Sequence, residues 1–341
     1  MIKFQGFDAK KYDMTWFTTK AHSSLYKIQE GVFDYTYPCL DYHPLAAVHY
    51  EKKQESGNPY ERLVTTPEKE FLIKIAKDLV SFLPKKFEYI DLGPGTAHKE
   101  QYFFDELFKT EKEFIYIPVD IYQRFLEMSA TYAADQKIKV DPILSSFEEL
   151  PEVLTPSSSE DVPRFVSLGL TVYNYHPDDI LPLLKKIAGE NGSVFVSIQV
   201  RERLDMTEML KGYTDLDSEY FSEKLKFIGI APEDLDPLEV DDKISISATL
   251  KKSNPILEAK GMSVGDKLGI FQSLRHTEEY FTECISKYFN KYEKFDVGTS
   301  FIGYLLMNSI WRVNLVLERK KTENFDLNIR FNNKVFYSLF G

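Results

Sequence analysis

The chain has 341 residues, 43% of them hydrophobic and 28% charged, with a formal net charge of −11. That length suits one large domain or two interleaved ones, and the composition is that of a soluble globular protein. The acidic balance argues against nucleic acid or an anionic membrane as partner, because a polyphosphate-tracking surface needs clustered Lys and Arg. The two cysteines, Cys39 and Cys284, fit neither a zinc spacing nor a disulfide framework. They read as small buried hydrophobes, and no metal site is expected. The first residues lack a signal-peptide core and no stretch approaches a membrane span, so a cytoplasmic location is expected.

Residues 1–66 are rich in aromatics and poor in periodicity, and read as short helices and loops that cover something. Thr66-Pro67-Glu68 predicts a helix start, with Thr66 as N-cap and Pro67 in the first turn. Phe71, Leu72, Ile75, Leu79 and Leu83 keep one face of that helix, which Pro84 ends.

From there strand and helix patterns alternate. Strands are predicted at 87–92, 114–120, 139–144, 164–172 and 193–200, with helices at about 98–109, 121–134 and 178–188. Near-continuous apolar strands alternating with helices predict a parallel α/β sheet. Beyond residue 203 the pattern changes. Two helices over 204–230 precede an acidic loop and the strictly alternating 243–250, followed by strand-like text at 266–274 and 304–319 around a helix near 277–290. The predicted fold is therefore α/β, a Rossmann-like sheet over 67–203, with a second α+β domain built from residues 1–66 and 204–341.

Ligands of parallel sheets sit at the carboxyl ends of the strands. Gly93, Asp120, Phe147 and Asn174 follow or end four successive strands, 27 residues apart each time. Gly93-Pro94-Gly95 closes a strand and opens a helix, and glycines there let the main chain approach an anionic or nucleotide ligand. The turn lacks the third glycine of the dinucleotide fingerprint, since His98 stands there. Asp120 is placed to accept both hydroxyls of an adenosine ribose. Lys99 can reach a carboxylate, Asn174 an ammonium or carboxylate, and Phe147 with Ser146 can flank an adenine. This set suits S-adenosylmethionine better than a nicotinamide cofactor, because it adds polar groups for a zwitterionic methionine end.

The stretches Asp91-Leu92-Gly93-Pro94-Gly95-Thr96-Ala97-His98-Lys99, Tyr116-Ile117-Pro118-Val119-Asp120 and Leu168-Gly169-Leu170-Thr171-Val172-Tyr173-Asn174 resemble the histidine-specific methyltransferase family. That family includes the ergothioneine-pathway histidine Nα-methyltransferase and dimethylallyltryptophan N-methyltransferase. The resemblance implies that Gly93, Gly95, Lys99 and Asp120 bind S-adenosylmethionine, with Ser146 and Phe147 at the adenine. The family usually has an acid where Ser146 stands, so the adenine amine would be held differently here. Asn174 would face the substrate amine near the transferred methyl, and Tyr213 would seat a substrate carboxylate. Tyr60 lies in the segment from which the family's tyrosines close over the substrate. Histidine enzymes of the family carry a Glu-x-Ser that receives the imidazole, whereas this chain has Phe271-Gln272-Ser273. A phenyl ring cannot accept an imidazole N–H, which disfavours free histidine and favours an apolar or aromatic amino acid or another small amine.

The expected activity is thus S-adenosylmethionine-dependent N-methylation of a small-molecule amine. Two other readings remain open at this point, a methyltransferase of peptide or protein amines and a non-catalytic S-adenosylmethionine-binding module.

Overall fold

In a computed structural model of the chain, residues 12–47, 60–95, 100–154, 162–214 and 218–308 are described. In chain order the strands are β1 (Tyr26–Gln29), β2 (Val32–Asp34), β3 (Lys86–Leu92), β4 (Glu113–Asp120), β5 (Ile143–Leu144), β6 (Arg164–Leu168), β7 (Ser193–Gln199), β8 (Glu239–Val240), β9 (Ser245–Thr249), β10 (Lys267–Gln272), β11 (Lys291–Asp296) and β12 (Phe301–Met307).

They form two sheets. The larger has the order β11-β12-β7-β6-β3-β4-β5. Strands β3 to β7 run parallel, and β12 enters antiparallel to both β7 and β11. This is a Rossmann-like, doubly wound arrangement, and its chain order reverses between β3 and β6, where ligands of such sheets bind. The β6 and β7 strands are near-continuous apolar runs because both faces are covered. Helix Pro177–Ala188 packs on both strands, and helix Thr66–Phe82 packs on β12. The helix Gln123–Asp135 packs on β4 and β5.

The smaller sheet has the order β1-β2-β10-β9-β8. Its N-terminal hairpin joins the C-terminal part of the chain through a parallel pairing of Val32 to Gly269 register, with Val32 opposite Lys267 and Asp34 opposite Gly269. A buried ion pair fastens the same contact. Lys224 Nζ meets Asp41 Oδ1 at 2.9 Å with both side chains almost fully enclosed, and donates to the Ile270 carbonyl at 2.9 Å.

Three sequence expectations need correction. Thr66 is no N-cap, because residues 60–65 are already helical as a π turn and Thr66 lies inside the helix. The β6 strand stops at Leu168, and Leu170–Asn174 winds as a 3-10 turn that swings Asn174 across the strand end. The hairpin of β11 and β12, assigned from sequence to the second domain, lies in the large sheet instead. Strand β12 is buried along its whole length, and only a central place beside β7 covers both its faces. The part of the expected strand 304–319 beyond residue 308 lies outside the described residues. Among the described residues no helix is long and apolar enough to cross a membrane.

Candidate active site

The strand ends of the large sheet open onto a pocket lined by Gly93, Gly95, Asp120, Ile121, Phe125, Ser145, Ser146, Phe147, Thr171 and Tyr175, roofed by Pro38, Cys39 and Tyr42. About 520 Å3 of space lies within it, open solvent at the mouth included. Of the sequence-predicted cofactor residues, Gly93, Gly95, Asp120, Ser146 and Phe147 are all here. Lys99 and His98 lie outside the described residues.

Each comes to the pocket for a local reason. Gly93 has φ +66° and its N–H bonds the Val119 carbonyl at 2.8 Å, so the chain turns sharply as β3 ends. A Cβ there would come within 3.3 Å of Thr171 Oγ1 and 3.6 Å of Phe147 Cζ, filling the floor of the pocket. Gly95 has φ +57° and open space where its Cβ would stand. Beneath the turn, the buried Asp91 carboxylate receives the Tyr116 hydroxyl at 2.8 Å and the Ser167 hydroxyl at 2.7 Å, which pins β3 to its two neighbours.

Asp120 is 6% exposed at the end of β4. Burial pushes its carboxyl up to about 7, against the main-chain N–H groups of Tyr122 and Ile121, which lower it, while Asp91 adds to the rise. The main-chain N–H of Gly95 bonds it as well, and the carboxylate lines the pocket within reach of a ligand's hydroxyls. Phe147 and Tyr175 both line the pocket, their rings in tilted contact with centroids 6.2 Å apart. Around Ser146 the expected acid is replaced by a relay. The Ser146 N–H donates to the Tyr12 hydroxyl at 3.1 Å, and Tyr12 donates to Glu149 Oε2 at 2.7 Å. The site thus joins a two-glycine turn held at positive φ, a buried carboxylate at a strand end and aromatic walls, which together fit S-adenosylmethionine.

Asn174 does not line this pocket but touches its roof, since its Nδ2 donates to the Tyr42 hydroxyl at 3.0 Å. Behind it stands the second cluster expected from sequence. The Tyr213 hydroxyl donates to Ser273 Oγ at 2.9 Å. Phe271 is 8% exposed, and its ring lies 6.3 Å from that of Tyr213 and 5.5 Å from that of Phe221. Tyr60 is half-buried at the start of the π turn, near enough to Arg275 to act on its charge.

Arg275, missed in the sequence, is the centre of this cluster. Its guanidinium bonds the Ser273 hydroxyl and carbonyl at 2.9 Å each, the Tyr213 hydroxyl at 3.2 Å and Gln199 Oε1 at 3.2 Å. It also stacks 3.8 Å from the centroid of the Tyr173 ring. Burial works to lower its pKa, but the oxygens of Tyr213, Tyr173 and Tyr60 outweigh it and hold the group above its ordinary value. Tyr42, Thr171 and Tyr175 were also missed. The sequence marks Arg275 only by its place just past a strand whose residues alternate inward, and it marks Tyr42 by nothing more than an aromatic-rich neighbourhood. Among the described residues no three His, Cys, Asp or Glu side chains group as a metal site would. Both cysteines are free and buried, Cys39 in the pocket wall.

Residues 60–218 match the family described as histidine-specific methyltransferase, SAM-dependent. No curated protein matches the chain. Among solved structures, a Pyrococcus horikoshii protein is similar at 14% identity and TM-score 0.44, over 76% of this chain and 99% of its own. An S-adenosylmethionine-dependent methyltransferase from Clostridium acetobutylicum is similar at 15% identity and TM-score 0.42, over 76% of this chain and 100% of its own. A SAM-dependent methyltransferase from Aquifex aeolicus gives 14% identity and TM-score 0.40 over 77% and 98%.

Proposed function

We propose that the protein N-methylates the amine of an amino acid or related small amine other than histidine, a reading supported by the match of residues 60–218 to the histidine-specific, S-adenosylmethionine-dependent methyltransferase family. The observation that carries the choice of acceptor is Phe271. It stands beside Ser273 and Tyr213 where the family's histidine enzymes have an acid, and it is walled in by Tyr213 and Phe221. An imidazole N–H brought there would lose its partners in water and gain none, at about 1–3 kcal/mol. An apolar or aromatic side chain would lose nothing.

When bound, the cofactor supplies an activated methyl group on a sulfonium. This chain's residues align and prepare. Asp120 accepts the ribose hydroxyls, the turn at Gly93 and Gly95 lets the main chain close on the ligand, and Phe147 with Tyr175 flanks the base. Asn174 sits between the cofactor roof and the acceptor cluster, placed to orient the amine. Fixing two reactants in line contributes on the order of 7–11 kcal/mol when the attack geometry is met. The attacking amine must be neutral, and an aromatic enclosure favours this by disfavouring its charged form. In this reading residues 67–203 supply the cofactor side, joined by the roof residues 38–42, and the flanking segments supply the acceptor side. The partner is a small molecule, in keeping with the net charge of −11.

The test is calorimetry with S-adenosylhomocysteine, then a mass-spectrometric methylation screen over amino acids, amines and peptides. Binding followed by methylation of a small amine other than histidine supports the reading. Absence of binding in folded protein sinks it, as does a preference for histidine or for peptide amines. Binding with no methylation anywhere in the screen leaves only a binding module.

A further inference from the structure

Two neighbouring residues of the cofactor roof are tied to the two residues that flank Phe271. The roof is the 3-10 turn Pro38–Tyr42, of which Pro38, Cys39 and Tyr42 line the pocket. Asp41 does not line it. Its carboxylate lies 2.9 Å from Lys224 Nζ, which also donates to the Ile270 carbonyl at 2.9 Å. The Tyr42 hydroxyl accepts from Asn174 Nδ2 at 3.0 Å, and the Asn174 carbonyl accepts from Gln272 Nε2 at 2.8 Å. Both paths therefore end on β10, one residue before Phe271 and one residue after it.

The Lys224 path is the stiffer of the two. Asp41 is 2% exposed and Lys224 1% exposed. A buried ion pair adds little net stability over apolar residues of the same size, but parting its members is costly, because each charge is then left alone among enclosed groups. Tyr35 holds the lysine further, with its ring centroid 5.4 Å from Nζ and its hydroxyl donating to the Lys224 carbonyl at 3.0 Å. The roof turn and the Ile270 carbonyl thus share one cation. Lys224 also stands three residues after Phe221 on the helix Ser218–Leu225, so the two lie on the same side of it. The Phe221 ring is 5.5 Å from that of Phe271. One helix carries both the cation that holds the roof and a ring that packs on Phe271.

We propose that Lys224 is a positioning residue, which makes the placement of Phe271 and Phe221 depend on the cofactor roof, so that filling the cofactor pocket firms the acceptor side. A ligand packed against Pro38, Cys39 and Tyr42 restrains their turn, and the shared cation passes that restraint to β10 and to the helix. The coupling is reciprocal, so an acceptor lodged against Phe271 tightens the hold on the cofactor by the same factor. The inference rests on the reading that Phe271 and Phe221 face the methyl acceptor, and adds to it a link between the two sites.

The experiment is amide hydrogen exchange of the full chain with and without saturating S-adenosylhomocysteine, followed over residues 221–230 and 267–273. Neither stretch lines the pocket. In the wild type the ligand should slow exchange in both about 10-fold. Asp41→Leu combined with Lys224→Met replaces the pair by apolar side chains of similar size, which keeps the fold and removes the shared cation. In that double variant the ligand should still slow exchange over 38–42 and no longer over 221–230. A merely structural role would quicken exchange equally with and without ligand, leaving the effect of the ligand in place. Asp41→Asn, which weakens the tie without emptying its space, should show a reduced ligand effect, and it decides the matter if the double variant does not fold. Wild-type exchange over 221–230 that ignores the ligand overturns the inference, and so does a variant as responsive as the wild type. Failure of S-adenosylhomocysteine to bind sinks the cofactor reading and the inference together, whereas binding without effect on 221–230 sinks the inference alone. Protection that depends on Lys224, with no methylation of any amine, sinks the transferase reading and leaves the coupling standing.

Discussion

The side-chain amide of Gln272 donates to the main-chain carbonyl of Asn174 at 2.8 Å. Gln272 lies on β10 between Phe271 and Ser273, while Asn174 ends the turn after β6 and reaches Tyr42 in the cofactor roof. One side chain of the small sheet thus holds the main chain of the residue proposed to orient the amine. Replacing Gln272 with Leu leaves that carbonyl without its donor and frees Asn174 to shift. We expect kcat/KM for methyl transfer to fall about 10–100-fold, since misplacement of about an ångström has that scale. Affinity for S-adenosylhomocysteine should stay as in the wild type. A parallel fall in cofactor affinity would show that the bond supports the pocket as a whole.

Cofactor affinity should depend on pH through Asp120. Its carboxyl is held up to about 7 by burial, and ribose hydroxyls need it ionised to accept them both. Below about pH 7 the empty site is protonated and binding must expel that proton, so affinity should fall by up to about tenfold per pH unit on the acid side and level off above it. Asp120→Asn should bind S-adenosylhomocysteine about 10–100-fold more weakly with a flat profile over the same range. Calorimetry from pH 5.5 to about pH 8.5 reads both effects. A wild-type profile as flat as the variant's would refute the assignment.

Phe271→Glu puts an acceptor at the position proposed to decide against histidine. Histidine methylation should appear or rise by about 10-fold or more, and methylation of apolar amino acids should fall, because the new carboxylate accepts an imidazole N–H at about 1.5–3 kcal/mol. The readout is the ratio of kcat/KM for histidine to that for the best apolar amino acid. An unchanged ratio would remove Phe271 from the acceptor site.

The Asp41–Lys224 pair should behave as a buried ion pair does. Lys224→Met strands a carboxylate among enclosed groups and should destabilise by about 3–5 kcal/mol in urea unfolding. Adding Asp41→Asn to it should recover part of the loss, because no lone charge then remains. Additive losses in the double variant would mean that the two side chains act independently.

Much of the large sheet is legible in the sequence because its strands are covered on both faces and read as unbroken apolar runs. Ser193–Gln199 is the plainest, buried at every position. The gathering of Gly93, Asp120 and Phe147 in one pocket follows from the same logic, since chain order alone brings the ends of β3, β4 and β5 to one rim. What escaped notice depends on tertiary placement. The β1 strand has four exposed residues, and nothing in them marks a strand until β2 supplies the pairing. In β11 the burial pattern is mixed, and it gains its place only by pairing with β12. Tyr42 and Arg275 sit on a short turn and a strand exit, and their roles come from neighbours more than a hundred residues away or from hydroxyls that themselves had to be placed first. Of the cluster around Ser273, the sequence marks Tyr213, Phe271 and Ser273 but not Arg275, which bonds two of them.

The pairing of Val32 with Lys267 has a consequence for synthesis. A growing chain releases β2 about 235 residues before the strand that completes it, an interval of roughly 10–50 s at ordinary translation rates. Throughout that time the large sheet can assemble up to β7, yet β2 lacks the strand that pairs with its free edge. The newborn protein therefore passes through a stage with an unsheltered strand edge, and that stage is where a chaperone or an aggregate would find it.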